Sequence, residues 1–161
     1  MIVALGSNLR GGMASIESLL EAALEALDAA GLRVVARSGW WRSAAWPDPS
    51  QPDYRNGVVV VETALGPRDV MNKLLRIEAA FGRRRDEPNA PRTLDLDLVA
   101  YGRQVMEEAG LTLPHPRADG RRFVMGPLAE IAPRWRHPRL GDAAETLAMN
   151  ATVGRDARPS D

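Results

Sequence analysis

At 161 residues, with 45% hydrophobic and 26% charged side chains, the chain has the length and balance of one globular domain, which argues against disorder. Its 21 basic and 21 acidic residues cancel, so no net basic field favours nucleic acid. No uncharged stretch exceeds nine residues, whereas a membrane-spanning helix needs about 20, and the absence of cysteine excludes disulfides, thiolate metal sites and a cysteine nucleophile.

Residues 2–5 form a short apolar run closed by Gly6-Ser7-Asn8, the pattern of a buried first strand and a turn. No basic n-region or cleavable apolar segment precedes it, so a cytoplasmic location is expected. Residues 15–30 switch to helical period: Ile16, Leu19, Leu20, Ala23, Leu24 and Leu27 share one face and Glu17, Glu21, Glu25 and Asp28 the other, with Gly31 as the stop. Residues 32–41 read as a second strand, followed by the proline-rich loop 46–53. Val58-Val-Val-Val61 marks a third strand over 54–63. A second helix is expected over 67–81, opened by Pro67 and ended by Gly82. An arginine-rich loop, 83–92, leads to a fourth strand over 93–101.

The order β-α-β-β-α-β predicts an α+β fold of the ferredoxin-like kind, an antiparallel sheet with two helices on one face. A hairpin near 102–112 and helices near 123–131 and 143–149 are expected to extend it. Residues 1–150 are thus expected to form a single domain, and residues 151–161 to fray.

The sharpest chemical signal is Arg92-Thr-Leu-Asp95-Leu-Asp97-Leu-Val99. On a strand, Leu94, Leu96 and Leu98 face one way and Asp95 and Asp97 the other. Two carboxylates side by side repel unless a cation sits between them, and hard oxygen ligands of this kind suit Mg²⁺ completed by phosphates and water. A solvent-facing strand edge would also accommodate a bare Asp pair. Upstream, Arg83, Arg84, Arg85 and Arg92 are opposed within the loop only by Asp86 and Glu87. Guanidinium groups beside a metal site match the needs of polyphosphate transfer. A Walker-type phosphate loop is lacking, because the glycines at 6, 11 and 12 are not followed by Lys-Ser/Thr. His115, between two prolines, and Arg121 add possible phosphate contacts. Trp46, Tyr54 and Phe123, three of only eight aromatics, lie in or beside loops, where they read either as core packing or as a sandwich for a flat heterocycle. Asn56 shares a face with Tyr54, and its amide suits a pterin or purine edge.

With these residues in view, the chain resembles the 6-hydroxymethyl-7,8-dihydropterin pyrophosphokinase family of folate synthesis. The resemblance is carried by Gly6-Ser7-Asn8, Gln51-Pro-Asp-Tyr54-Arg-Asn56, Ile77-Glu78, Gly82-Arg83-Arg84-Arg85, Pro91-Arg92-Thr-Leu-Asp95-Leu-Asp97, Leu113-Pro-His115 and Arg121-Arg-Phe123, in family order across residues 2–135. It implies transfer of pyrophosphate from ATP to the hydroxymethyl group of the dihydropterin, with release of AMP. It implies that Asp95 and Asp97 bind two Mg²⁺ ions, that Asp97 also helps activate the substrate hydroxyl, and that Arg83 and Arg92 act on the phosphates. Glu78, Arg85, Thr112, His115 and Arg121 would line the ATP side; Ser43, Trp46, Tyr54, Asn56 and Phe123 would line the pterin pocket. The chain departs from the family's pattern at Ser43-Ala44-Ala45, Pro88-Asn89 and Pro116. The expected partners are these small molecules alone, met by a monomer without nucleic acid or membrane. Two other readings share the strand order: a nucleotidyl transferase or cyclase, which would release pyrophosphate, and an RNA-recognition module, which would want paired aromatics on central strands.

Overall fold

A computed structural model of the protein describes residues 1–82 and 93–160. Its strands are β1 (Ile2–Ser7), β2 (Arg33–Arg37), β3 (Trp41–Ser43), β4 (Tyr54–Glu62), β5 (Asp95–Ala100), β6 (Met106–Glu108), β7 (Leu111–Leu113) and β8 (Arg158–Pro159). Among the described residues the α-helices are α1 (Ile16–Ala29), α2 (Pro67–Ala80), α3 (Arg122–Ile131) and α4 (Ala144–Asn150). None is long and apolar enough to cross a membrane.

The main sheet is antiparallel, in the order β5-β1-β4-β3-β8, with β2 also paired to β4; β6 and β7 form the expected hairpin apart from it. The alternation of strand side chains fills two cores. Val3, Leu5, Val59, Val61, Leu94, Leu96 and Leu98 pack under α1 and α2. Ile2, Ala4, Val58 and Val99 point the other way and pack under α3 and α4. α1 and α2 thus lie on one face of the antiparallel sheet, and α3 and α4 form a third layer on the other. Local signals set the helix ends: the Ser15 hydroxyl accepts from the Ser18 amide at 3.0 Å to cap α1, and Pro67 opens α2.

Residues 32–41 make two strands rather than the single one expected. At Ser38 the chain leaves the ladder: its hydroxyl accepts from the Val58 amide at 3.0 Å, and the Gly39 amide turns outward to Glu130 Oε1 at 2.7 Å. Beyond this kink, two consecutive tryptophans lie on opposite faces, as strand alternation requires. Trp40 lies over Gly57 and Trp41 over Gly126 of α3, where a Cβ on either glycine would come within 2.5 Å of the indole. Both glycines are therefore contact surfaces for a ring, not turns.

Residues 151–160 do not fray. Ala151 and Ala157 are buried, β8 pairs with β3, and the Arg122 amide and side chain bond to Val153 O at 2.9 Å and Ala157 O at 3.1 Å. The sequence shows no apolar periodicity here because the segment is held mainly by its backbone, which composition does not report.

His137, buried in the segment that links α3 to α4, is expected to make stability depend on pH. Its Nδ1 accepts from the Arg139 and Leu140 amides at 3.2 and 3.1 Å. Burial, with Arg139 and Arg103 nearby, pushes its pKa below the ordinary 6.5. The unfolded chain therefore takes the proton first as pH falls. The stability is fully present above about 6.5 and is lost on descent toward the lowered folded value. His115, held at about 4, acts in the same direction. Melting temperature is expected to drop between pH 7.5 and 5.5. His137→Asn, which keeps an acceptor but cannot titrate, should make that slope shallower; an unchanged slope would refute the assignment.

Candidate active site

The site is built on the open end of the sheet face that α3 and α4 only partly cover. Leu94, Leu96 and Leu98 are 0%, 4% and 1% exposed, which turns the half-buried Asp95 and Asp97 to the opposite face. Across the ladder Asp95 is paired with Gly6, and Asp97 with Ala4. Gly6 is in turn paired with Asn56 on β4. Small residues on β1 thus leave a floor between the carboxylates and Asn56. A Cβ at Gly6 would stand 3.3 Å from Asn56 Oδ1. The sequence reading takes Gly6 as part of a turn and of a segment that carries the family resemblance; its place opposite Asp95 becomes visible once the register is known.

A cleft of about 620 Å³ opens over this floor and wraps the outer edge of β5. At one end lie Ser43, Trp46, Tyr54, Asn56 and Phe123; along the β5 edge lie Glu78, Leu111 and Thr112, with His115 and Arg121 also lining the wall. The described residues expected for the two substrates therefore border one continuous space that contains Asp95 and Asp97. Arg83, Arg85 and Arg92 lie outside the described residues.

Three of these side chains are more deeply fixed than their sequence reading implies. Asn56 and Ser43 are 5% and 3% exposed, and Asn56 Nδ2 donates to Ser43 Oγ at 2.8 Å, which sets which way the amide faces. Glu78 is 3% exposed, and its Oε1 accepts from the Leu96 amide at 2.7 Å. The expectation for Glu78 was contact with ATP; the structure also makes it a brace on the strand between the two aspartates. Asn8, 1% exposed, donates through Nδ2 to Pro52 O at 3.2 Å and so ties the end of β1 to the loop that carries Trp46.

His115 is held by its own amide, which donates to Val99 O at 2.8 Å, and its Nδ1 accepts from the Arg117 amide at 3.2 Å. That leaves the proton of the neutral ring on Nε2, 3.9 Å from Asp97 Oδ1. Burial, reinforced by the Arg121 and Arg117 charges and only partly offset by Asp95, lowers its pKa to about 4. At neutral pH it is an uncharged donor beside the carboxylates. The Arg121 guanidinium lies 5.7 Å from the Phe123 ring centroid, which joins the two ends of the cleft.

Among the described residues no three His, Cys, Asp or Glu side chains gather as a closed metal cage. A pair of half-buried carboxylates open to a cleft instead suits Mg²⁺, which keeps water and takes substrate oxygens into its shell.

The profile of the 7,8-dihydro-6-hydroxymethylpterin-pyrophosphokinase (HPPK) family matches residues 2–133. A Synechocystis sp. protein named 2-amino-4-hydroxy-6-hydroxymethyldihydropteridine pyrophosphokinase is 47% identical over 140 residues, covering 87% of this chain and 70% of its own. A Pseudomonas aeruginosa protein of the same name is 40% identical over 157 residues, covering 98% of this chain and 95% of its own. The crystal structure of wild-type Plasmodium falciparum HPPK-DHPS is similar in fold, with a TM-score of 0.74 at 12% identity; the match covers 98% of this chain, which spans 47% of that one. A profile match across most of the chain, together with relatives this similar over most of their own length, shows that the chain belongs to the 7,8-dihydro-6-hydroxymethylpterin-pyrophosphokinase family.

Proposed function

We propose that this chain transfers the pyrophosphoryl group of ATP to the hydroxymethyl group of 6-hydroxymethyl-7,8-dihydropterin, releasing AMP, as a step of folate biosynthesis. The observation that carries the reading is the single cleft in which Asp95 and Asp97 stand between an end lined by Tyr54, Asn56 and Phe123 and an edge lined by Thr112 and His115. The strand order β5-β1-β4-β2, with α1 and α2 on one face, supports a ferredoxin-like core for it.

In this reading Asn56, oriented by Ser43, hydrogen-bonds the pterin edge, and Tyr54 and Phe123 supply apolar ring surface. Trp46, 64% exposed, lies at the rim, where a bound ring would cover it. Two Mg²⁺ ions held by Asp95 and Asp97 would supply neutralisation of the phosphate oxygens. The pterin hydroxyl oxygen forms the new bond to the β-phosphorus, and the bond from that phosphorus to the α-phosphate oxygen breaks. We assign the hydroxyl's proton to Asp97. His115, neutral, donates from Nε2, and Arg121 contributes fixed positive charge on the nucleotide side. The family resemblance assigns Arg83 and Arg92 to the transferring group and Arg85 to ATP. An RNA-binding reading is disfavoured because α3 and α4 cover much of the sheet face that such a module keeps open.

The test is product analysis with ATP, Mg²⁺ and the dihydropterin. AMP and a pyrophosphorylated pterin are expected, with turnover abolished by a chelator and restored by Mg²⁺. ADP would indicate attack at the γ-phosphorus and defeat the reading. Free pyrophosphate would favour a nucleotidyl transferase.

A further inference from the structure

The C-terminal residues 151–160 lie beyond the family-matched span, yet they touch both walls of the end of the cleft assigned to the pterin. On one wall, Gly154 runs against Phe123: a Cβ there would stand 2.4 Å from Phe123 Cδ1 and 3.0 Å from Cε1. Gly154 has φ +66°, a conformation that glycine adopts without strain. The neighbouring Arg122 is fixed by Val153 O at 2.9 Å and Ala157 O at 3.1 Å. On the other wall, the exposed Asp156 accepts from the Ala44 amide through Oδ2 at 2.7 Å. Ala44 follows Ser43, whose hydroxyl holds Asn56. Beyond Asp156, β8 pairs with β3 and the Ser160 amide donates to Trp40 O at 2.8 Å.

We propose that residues 151–160 are the positioning element of the pterin end. One strap fixes Phe123 on α3 and the Ser43–Asn56 pair on β3 and β4, and so sets the gap that a flat bicyclic ring must enter. The inference rests on the functional reading above. Gly154 and Asp156 are the positioning residues and touch no reacting atom. Thr152 and Val153 also bond to Gly120 O, next to Arg121, so removing the whole tail would disturb the nucleotide side as well. Point substitutions at Gly154 and Asp156 separate the two ends.

The experiment measures binding of 6-hydroxymethylpterin by its fluorescence, in the presence of Mg²⁺ and a non-hydrolysable ATP analogue. Binding of that analogue is titrated separately, with thermal melts on each protein. Gly154→Ala drives a methyl into the Phe123 ring, and Asp156→Ala removes the Ala44 acceptor. Each is expected to raise the pterin Kd about tenfold, the scale of one lost contact of this kind, and to leave the nucleotide Kd within about twofold. Asp156→Asn, which keeps an acceptor oxygen, should restore most of the affinity. Because Asp156 is exposed, its variants keep the test open should Gly154→Ala fold poorly. Wild-type pterin affinity in Asp156→Ala, or equal losses for both ligands, would overturn the proposal alone. A wild-type protein that binds no pterin would overturn the functional reading and this inference together.

Discussion

Asp97→Asn is expected to lower kcat by about 10³ with little change in fold, the upper scale for losing one preorganised electrostatic group at a reacting phosphate. The substitution keeps the volume of the side chain and removes its negative charge. Asp97 shares the open sheet face with Asp95, opposite Ala4, so no bulky neighbour on β1 would fill in for a lost metal ligand. Asparagine can coordinate only through a neutral carbonyl oxygen, and it cannot take the proton of the attacking hydroxyl. Raising Mg²⁺ should recover part of the loss, since a weaker site can be refilled by mass action, but not the proton-accepting part. Removing one of two like charges should leave the melting temperature of the metal-free protein unchanged or raised. Single-turnover rates across a Mg²⁺ titration decide the matter. Normal turnover at low Mg²⁺ would defeat the assignment of Asp97, and a large fall in metal-free stability would show a structural role instead.

How much of this site was legible in the sequence depends on what holds each part. The alternation Leu94-Asp95-Leu96-Asp97-Leu98 is written in a period of two, and burial follows it residue by residue, so the carboxylate pair reads directly. The face of α1 reads as directly from its period of 3.6. Gly6 does not read, because its function lies in being small opposite Asp95, and that requires the β1-β5 register. The kink at Ser38 is only partly hidden: the Ser38-Gly39 pair is a turn signal inside an apolar-rich run, and the bonds of Ser38 and Gly39 to partners far along the chain divide the strand there. The strap over 151–160 is hardest of all, since its bonds are mostly from backbone groups and its glycine serves a ring on another element.

Glu78 shows the same limit and leads to the second large effect. The family resemblance alone gives it a role toward ATP, and the structure places it on α2 at the edge of the cleft. The structure adds a backbone partner. Among the described residues β5 pairs only with β1, and Leu96 turns its amide away from that ladder toward Glu78 on α2. Leu96 is 4% exposed, and water is a poor substitute for the Glu78 carboxylate there. Glu78→Ala would leave that amide without its acceptor, at a cost of about 1–3 kcal/mol. In a domain of this size that lowers the melting temperature by about 2–4 °C for each kcal/mol. Activity should suffer more than stability, because Leu96 is the residue between Asp95 and Asp97, and a displacement of about 1 Å at a reacting centre can cost 10²-fold in rate. Glu78→Gln separates the brace from the charge. Its amide oxygen still accepts from Leu96, so it is expected to regain most of the stability and much of kcat. Melting curves, kcat and nucleotide Kd are compared across the two variants. If Glu78→Ala melts like the wild type, the bond to Leu96 is not a brace. If Glu78→Gln is as unstable as Glu78→Ala, the charge matters and the acceptor geometry does not. If both variants keep their stability and lose only nucleotide affinity, Glu78 serves ATP and the carboxylate pair is held by the β1 ladder alone.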